Sequence, residues 1–301
     1  MGYDADLDAG TAVTTALRAI GGRMPQLESA ALADEPDGVH QLRTHVRRVR
    51  SVLAAFTPVF DAAPVVSLRR RYSELGAELG VVRDIEVRVQ VAERALEEAA
   101  DEAAGVDAAQ RDVARARLLD AERADYALAH ARFVDRQALP RAGARRAELD
   151  AFLASPPLAP PATELALDVL RRLIDDEARR TLRRADRVRD GGDDEALHEV
   201  RKAGRRLRYA AEALTDDPVA LFGTHVRALA EVGDDLHDVL GDHRDEVLFA
   251  VHARRTGAHV AHEGGASLVF EQLAAAADAR AADHLRKLPD VVDRLRDLVA
   301  E

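Results

Sequence analysis

Val39-His40-Gln41-Leu42-Arg43-Thr44-His45-Val46-Arg47-Arg48-Val49-Arg50 recurs, 158 positions on, as Leu197-His198-Glu199-Val200-Arg201-Lys202-Ala203-Gly204-Arg205-Arg206-Leu207-Arg208. Both copies read apolar-His-x-apolar-Arg-x3-Arg-Arg-apolar-Arg. On a helical wheel with His40 at zero, Arg43, Arg47 and Arg50 fall within an arc of about 80°. Leu42, Val46, Val49 and Leu53 fall together about 200° from His40. The second copy places His198, Arg201, Arg205 and Arg208 on one face, with Lys202 close by, and Val200, Leu207 and Ala211 on another. The apolar stripe reads as core. The basic stripe spans about three turns, roughly 15 Å, which suits an elongated anion better than a single phosphate.

A row of arginines at three- and four-residue steps is self-repulsive. One reading is that acids on neighbouring helices pair with it, Glu74, Glu78, Asp84, Asp234, Asp235 and Asp245 being the candidates. Surface ion pairs contribute little, however, and give no reason to write the same cations twice in register. Arginine's planar fork suits phosphate oxygens. Histidine adds a donor that a nearby polyanion would hold protonated. The duplicated face therefore reads as an anion site. Arg48 and Arg206 lie off the main arc and are possible additional contacts.

A second pair of motifs supports internal duplication. Leu79-Gly80-Val81-Val82-Arg83-Asp84 matches Leu240-Gly241-Asp242-His243-Arg244-Asp245, 161 positions on. Arg83 and Arg244 are equally suited to a carboxylate within the protein and to a ligand.

Composition agrees with an all-α chain. Of 301 residues only 4% are aromatic, and helix formers dominate. The net charge of −11 argues against a nucleic-acid protein. Charge is segregated, though: residues 39–59 hold no acid, while 86–107 are rich in Glu and Asp. With no cysteine there is neither disulfide nor thiolate chemistry. Residues 1–12 lack the apolar run of a signal peptide, and no window suits a membrane span, so a cytoplasmic address is expected.

Helices are expected over 7–32, 39–56, 64–100 with a break at Gly105, and 107–137, which is polar on most faces and expected to project or pack loosely. The role of this acidic stretch is not assigned. Pro140 kinks or ends it. The Pro-rich segment 156–161 reads as a stiff linker between a first half, 1–155, and a second, 162–301. The series then restarts with helices over 163–188, 194–215 capped by Asp193 or Asp194, one begun by Asp216-Asp217-Pro218 and closed by Gly257, and a last one from 266 kinked at Pro289. Arg172, Arg179 and Arg183 share a side of the 163–188 helix and could extend the basic groove. Arg69-Arg70-Arg71 has no basic counterpart in the second half and reads as surface.

Leu197-His198-Glu199-Val200-Arg201-Lys202, with Arg205-Arg206-Leu207-Arg208-Tyr209 and Glu212, resembles the second-half signature of the CHAD domain, the conserved histidine α-helical domain. Val39 to Arg50 resembles its first-half signature, and Leu79 to Asp84 the motif that follows. The resemblance covers about 7–298. It implies two pseudo-symmetric four-helix bundles around a central basic groove or pore. It also implies binding of inorganic polyphosphate and association with polyphosphate granules. The contacts it implies are His40, Arg43, Arg47, Arg50, His198, Arg201, Lys202, Arg205 and Arg208. The second Leu-Gly motif departs from the first at Asp242-His243.

Rival functions are weighed on residues. The Glu-x-Glu-x-Lys signature of the triphosphate-hydrolysing domain sometimes fused to this family is absent. So are the Gly-rich nucleotide loop and the Gly-x-Ser-x-Gly elbow. His40 and His45 lie five apart and share no helix face as a metal pair. Asp242, His243 and Asp245 could hold a metal for (poly)phosphate hydrolysis, but such a run is more often capping and solvation. The expectation is therefore no enzyme, no metal and no cofactor. RNA binding shares the basic groove but needs stacking aromatics, and only Tyr209 adjoins the motif. A protein partner recruited through the acidic helices is compatible with either polyanion.

Overall fold

Helix formers and three- to four-residue apolar spacing produce twelve α-helices among the residues that the computed structural model describes, 6–102, 108–189 and 191–301. They are α1 (Ala9–Gly21), α2 (Met24–Leu32), α3 (Gly38–Ala55), α4 (Ala62–Glu102), α5 (Ala108–Arg115), α6 (Ala121–Gln137), α7 (Pro140–Ala154), α8 (Ala166–Ala185), α9 (Asp194–Thr215), α10 (Thr224–His262), α11 (Leu268–Leu285) and α12 (Leu288–Ala300). No strand is present among the described residues, only the isolated bridges Asp8–Leu165 and Phe60–Leu158.

Several boundaries depart from the sequence reading, each for a local reason. The helix expected over 7–32 is two, α1 and α2. Gly21 and Gly22 weaken the helix, Gly22 N–H closes α1 on the Arg18 carbonyl at 2.9 Å, and Pro25 opens α2. The helix expected at 216–218 begins at Thr224. The chain first folds back on α9, with the amides of Leu221 and Phe222 donating to the Leu214 carbonyl, so that both side chains are buried. Gly257 does not close α10, which runs on to His262; the glycine lies against Phe270 of α11. The last expected helix is α11 and α12, separated before Pro289. The break expected at Gly105 lies outside the described residues.

Two compact units are formed. The first comprises Met1–Leu79, Val134–Asp238 and Leu288–Glu301, and the second Gly80–Phe133 and Val239–Lys287. Each unit takes segments from both sides of the Pro-rich stretch. That stretch is extended and hydrogen-bonded: Pro157 O accepts from Asp61 N–H at 2.8 Å, and Ala159 N–H donates to Val59 O at 3.0 Å.

In the first unit α3 packs between α2 and α9, and α8 lies on α9 and α12. The apolar stripe assigned to the core is buried as expected: Leu42, Val46, Val49, Leu53, Val200 and Leu207 are at most 1% exposed. Each such leucine contributes about 1.5–3 kcal/mol relative to exposure. Asp193 accepts from Ala196 N–H at 2.8 Å and so caps α9. At the α9–α10 crossing Gly204 and Gly233 meet backbone to backbone. A Cβ added at Gly204 would lie 2.8 Å from the Gly233 carbonyl oxygen.

The second unit has its own core. Leu118, Leu119, Phe249 and Phe270 are fully buried in it, with Ala92, Ala95 and Leu273 packed around them. Leu118 and Leu119 come from the stretch expected to pack loosely. They lie in a π-helical turn, Ala116–Asp120, whose extra residue per turn directs both inward. Two acids of residues 107–137 pair with basic neighbours: Glu122 with Arg88 at 2.8 Å, and Asp120 with Arg123 at 3.3 Å.

Candidate anion-binding site

The packing of α3 against α9 in the first unit gathers the repeated cations. Arg47 is only 9% exposed, and Arg43, Arg50, Arg201 and Arg205 are half-buried. Arg69, from α4, joins them. Of the acids read as able to neutralise this row, Glu78 and Asp235 are engaged elsewhere, while Asp234 pairs with Arg208. Glu78 binds Arg141 at 2.9 Å and Gln137 at 2.6 Å, and Asp235 binds Arg294 at 2.6 Å. Among the described residues no carboxylate pairs with Arg47, Arg50, Arg69 or Arg205. Their electrostatics record the crowding. Burial first, and then Arg205, pushes Arg47 down to about 8. Burial first, and then Arg201, pushes Arg205 down to about 10. Arg50 is lowered by burial and by Arg69, and Arg69 by burial and by Arg206.

The other named cations separate into distinct settings. Arg48 pairs with Glu212 at 3.4 Å and Asp216 at 3.3 Å. Arg208 pairs with Glu212 at 2.6 Å and with Asp234. Arg206 is held by Glu177, itself 1% exposed. Lys202 is exposed and bonded to Glu199 at 2.6 Å. His40 and His198 are half-buried on their motif helices. On α8, Arg172 pairs with Glu164 at 3.3 Å and Arg179 with Asp176 at 2.9 Å, while Arg183 is exposed. Arg83 and Arg244 belong to the second unit, where Arg83 binds Glu86 at 3.0 Å and Arg244 is exposed.

Two participants escaped the sequence reading. Arg69, read as surface, stands two turns before Gly76 on α4, and a Cβ at Gly76 would lie 3.5 Å from Arg50 Nη1. His237 stands one turn after Gly233 on α10, and Arg47 Nη2–H donates to its Nε2 at 2.5 Å. In both cases the signal was a glycine at a helix crossing with a basic residue at helical spacing from it.

The family follows from an independent comparison of the sequence. The CHAD domain family matches residues 15–254. The chain belongs to the CHAD-domain family. It is 30% identical over 241 residues to two proteins of Mycobacterium tuberculosis, the uncharacterized protein MT2285 of strain CDC 1551 / Oshkosh and the uncharacterized protein Rv2226 of strain ATCC 25618 / H37Rv. The match covers 78% of this chain and 44% of each relative, so this CHAD chain spans less than half the length of the curated relatives it matches. Among solved structures, PptA from Streptomyces chartreusis superposes with a TM-score of 0.68 at 20% identity, covering 98% of this chain and 100% of PptA. The crystal structure of the CHAD domain from the plant Ricinus communis superposes at 0.67 and 22% identity, covering 100% of this chain and 94% of that one. These likenesses show that this chain has the all-α CHAD fold.

The buried histidines of the first unit should make the stability of this CHAD chain depend on pH. His45, bonded through Nε2 to the Ile20 carbonyl at 2.6 Å, is lowered chiefly by burial, and so is His237. In the unfolded chain both take up a proton below about 6.5, whereas in the folded chain they do so only at lower pH. Stability is therefore present above that pH and lost as pH falls below it, by at most about 1.4 kcal/mol per unit for each group. Asp234, raised to about 6 by burial and by Asp238, acts in the opposite direction. The net expectation is a urea midpoint that declines from about pH 7 to about pH 5, two histidines outweighing one carboxylate. A flat or rising midpoint would contradict it.

Proposed function

We propose that the arginine cluster on α3, α9 and α4 binds inorganic polyphosphate, and that the chain acts by binding rather than by catalysis. The observation that carries this reading is the set Arg47, Arg50, Arg69 and Arg205, drawn together without a carboxylate among the described residues. Cations crowded in this way raise the energy of the empty protein, and an anion that supplies several oxygens offsets the cost. His40, Arg43, His198 and Arg201, carried on the same two helices, complete the proposed site. Lys202 and Arg208 are included as contacts that the ligand would draw from their carboxylates. The two motif helices are read as duplicated halves gripping one ligand from two sides of a basic groove. No helix is long and apolar enough to cross a membrane among the described residues. Attachment to polyphosphate granules in the cytoplasm and a protein partner at the acidic helices are further elements of this proposal.

RNA binding is less well supported. Tyr209, the one aromatic next to the motif, is 4% exposed and packed under Arg208 at 5.4 Å, so it offers no face on which a base could stack. Metal-dependent hydrolysis is also less favoured, because no three His, Asp or Glu side chains gather as a metal site among the described residues.

Titration with polyphosphates of defined length tests the reading. Affinity is expected to rise with chain length until both helices are engaged. The logarithm of affinity should fall linearly with the logarithm of salt concentration, by analogy with counterion release from nucleic acids. Single-stranded RNA should compete poorly. Affinity independent of chain length, or RNA binding of equal strength, would contradict the proposal.

A further inference from the structure

We propose that His237 is a positioning residue for the polyanion site, an uncharged acceptor on α10 that holds the Arg47 guanidinium in place without cancelling its charge. This rests on the polyphosphate reading above and adds a residue that lies outside both repeated motifs.

The geometry leaves one assignment of protons. Arginine has only N–H donors, so the 2.5 Å contact between Arg47 Nη2 and His237 Nε2 requires that nitrogen to be the acceptor. The proton of the neutral imidazole is then on Nδ1. Both side chains are more than nine-tenths buried, which restricts each to one orientation. The charged groups facing His237 are Arg47 from α3 and Arg201, Arg205 and Arg208 from α9, with Asp234 and Asp238 beside it on its own helix. Arg201 Nε–H also donates to the His237 carbonyl at 3.4 Å. Burial and four neighbouring cations keep the ring from taking a second proton. The glycine crossing brings it within reach, since a Cβ at Gly204 would lie only 3.5 Å from the His237 amide nitrogen.

The chemical class of the acceptor matters. Aspartate or glutamate at this position would orient Arg47 equally well, but would neutralise it and compete with phosphate oxygens. That is the condition of Arg48, Arg206 and Arg208, each held by carboxylates. A neutral imidazole fixes the guanidinium and leaves its positive charge for the ligand.

The test uses the full chain and polyphosphate of one defined length. His237→Phe keeps a ring but loses the acceptor, and is expected to weaken binding about tenfold. His237→Gln restores an acceptor oxygen, and should bind within about threefold of the parent. In an Arg47→Met background His237→Phe should cause no further loss. A Phe variant that binds like the parent, a loss that persists in the Arg47→Met background, or no rescue by Gln would overturn the proposal. Imidazole 15N shifts of the ligand-free parent provide a measurement that needs no variant. They should report an Nδ1–H tautomer that stays neutral down to about pH 5. A ring titrating at its ordinary value would overturn the positioning role alone. A parent chain that shows the neutral tautomer yet takes up no polyphosphate would overturn the binding reading itself, and the proposal with it.

Discussion

Replacing Arg47 and Arg205 together by Met is expected to lower polyphosphate affinity about a hundredfold or more while leaving the helical circular dichroism unchanged. Hydrogen bonds to charged groups are worth about 1.5–3 kcal/mol each, and each tenfold in affinity corresponds to about 1.4 kcal/mol. Burial lowers the pKa of both residues, Arg205 lowers Arg47 further, and Arg201 lowers Arg205 further. Removing both charges relieves that repulsion and the cost of desolvating two ions. The expected melting temperature of the ligand-free variant is therefore equal to the parent's or a few degrees higher. Loss of the acceptor pairing with His237 limits the gain. Isothermal titration and thermal unfolding check the two halves of the expectation. Parent-like affinity in the double variant would sink the polyanion assignment. A large fall in melting temperature with no ligand present would show that the arginines serve the fold.

The second large effect concerns the frame. Gly204→Val is expected to destabilise the protein by about 1–3 kcal/mol or more, because the new side chain has no space to enter. Its Cβ alone would lie 2.8 Å from the Gly233 carbonyl oxygen and 2.9 Å from Leu236 Cβ, and backbone cannot yield as a flexible side chain does. Separating α9 from α10 also moves His237 away from Arg47, so affinity should fall along with stability. Urea unfolding checks the first effect and polyphosphate titration the second. A variant as stable as the parent would mean that the crossing relaxes by sliding.

The facing of the motif residues was legible because helical periodicity places side chains by arithmetic. The wheel that separated Leu42, Val46 and Val49 from Arg43, Arg47 and Arg50 is realised in α3, and Asp193 caps α9 as its position before the helix suggested. What the wheel could not supply was depth. Arg47 reads as the middle of an open basic stripe, yet α9 covers it, and that depends on contacts far apart in sequence. Arg69 and His237 were missed for the same reason, since each enters from a helix whose own pattern is unremarkable. Helix ends were legible where a side chain caps them. They were not legible where the chain turns back on itself, as at Leu221 and Phe222. Leu118 and Leu119 were hidden because a π-helical turn shifts the phase of the pattern on which amphipathic reading depends.

The seam between α3 and α9 has a consequence for the chain as a unit of expression. The Pro-rich stretch separates the two motif helices in sequence, but the first compact unit contains both, together with the backbone hydrogen bonds between residues 59–61 and 157–159. A fragment ending before that stretch would carry α3 without the surface that covers Val46 and Arg47. A fragment beginning after it would carry α9 in the same condition. Neither would fold as half of that unit. The two pieces are complementary subunits of one fold, and the covalent link between them fixes their stoichiometry at one to one.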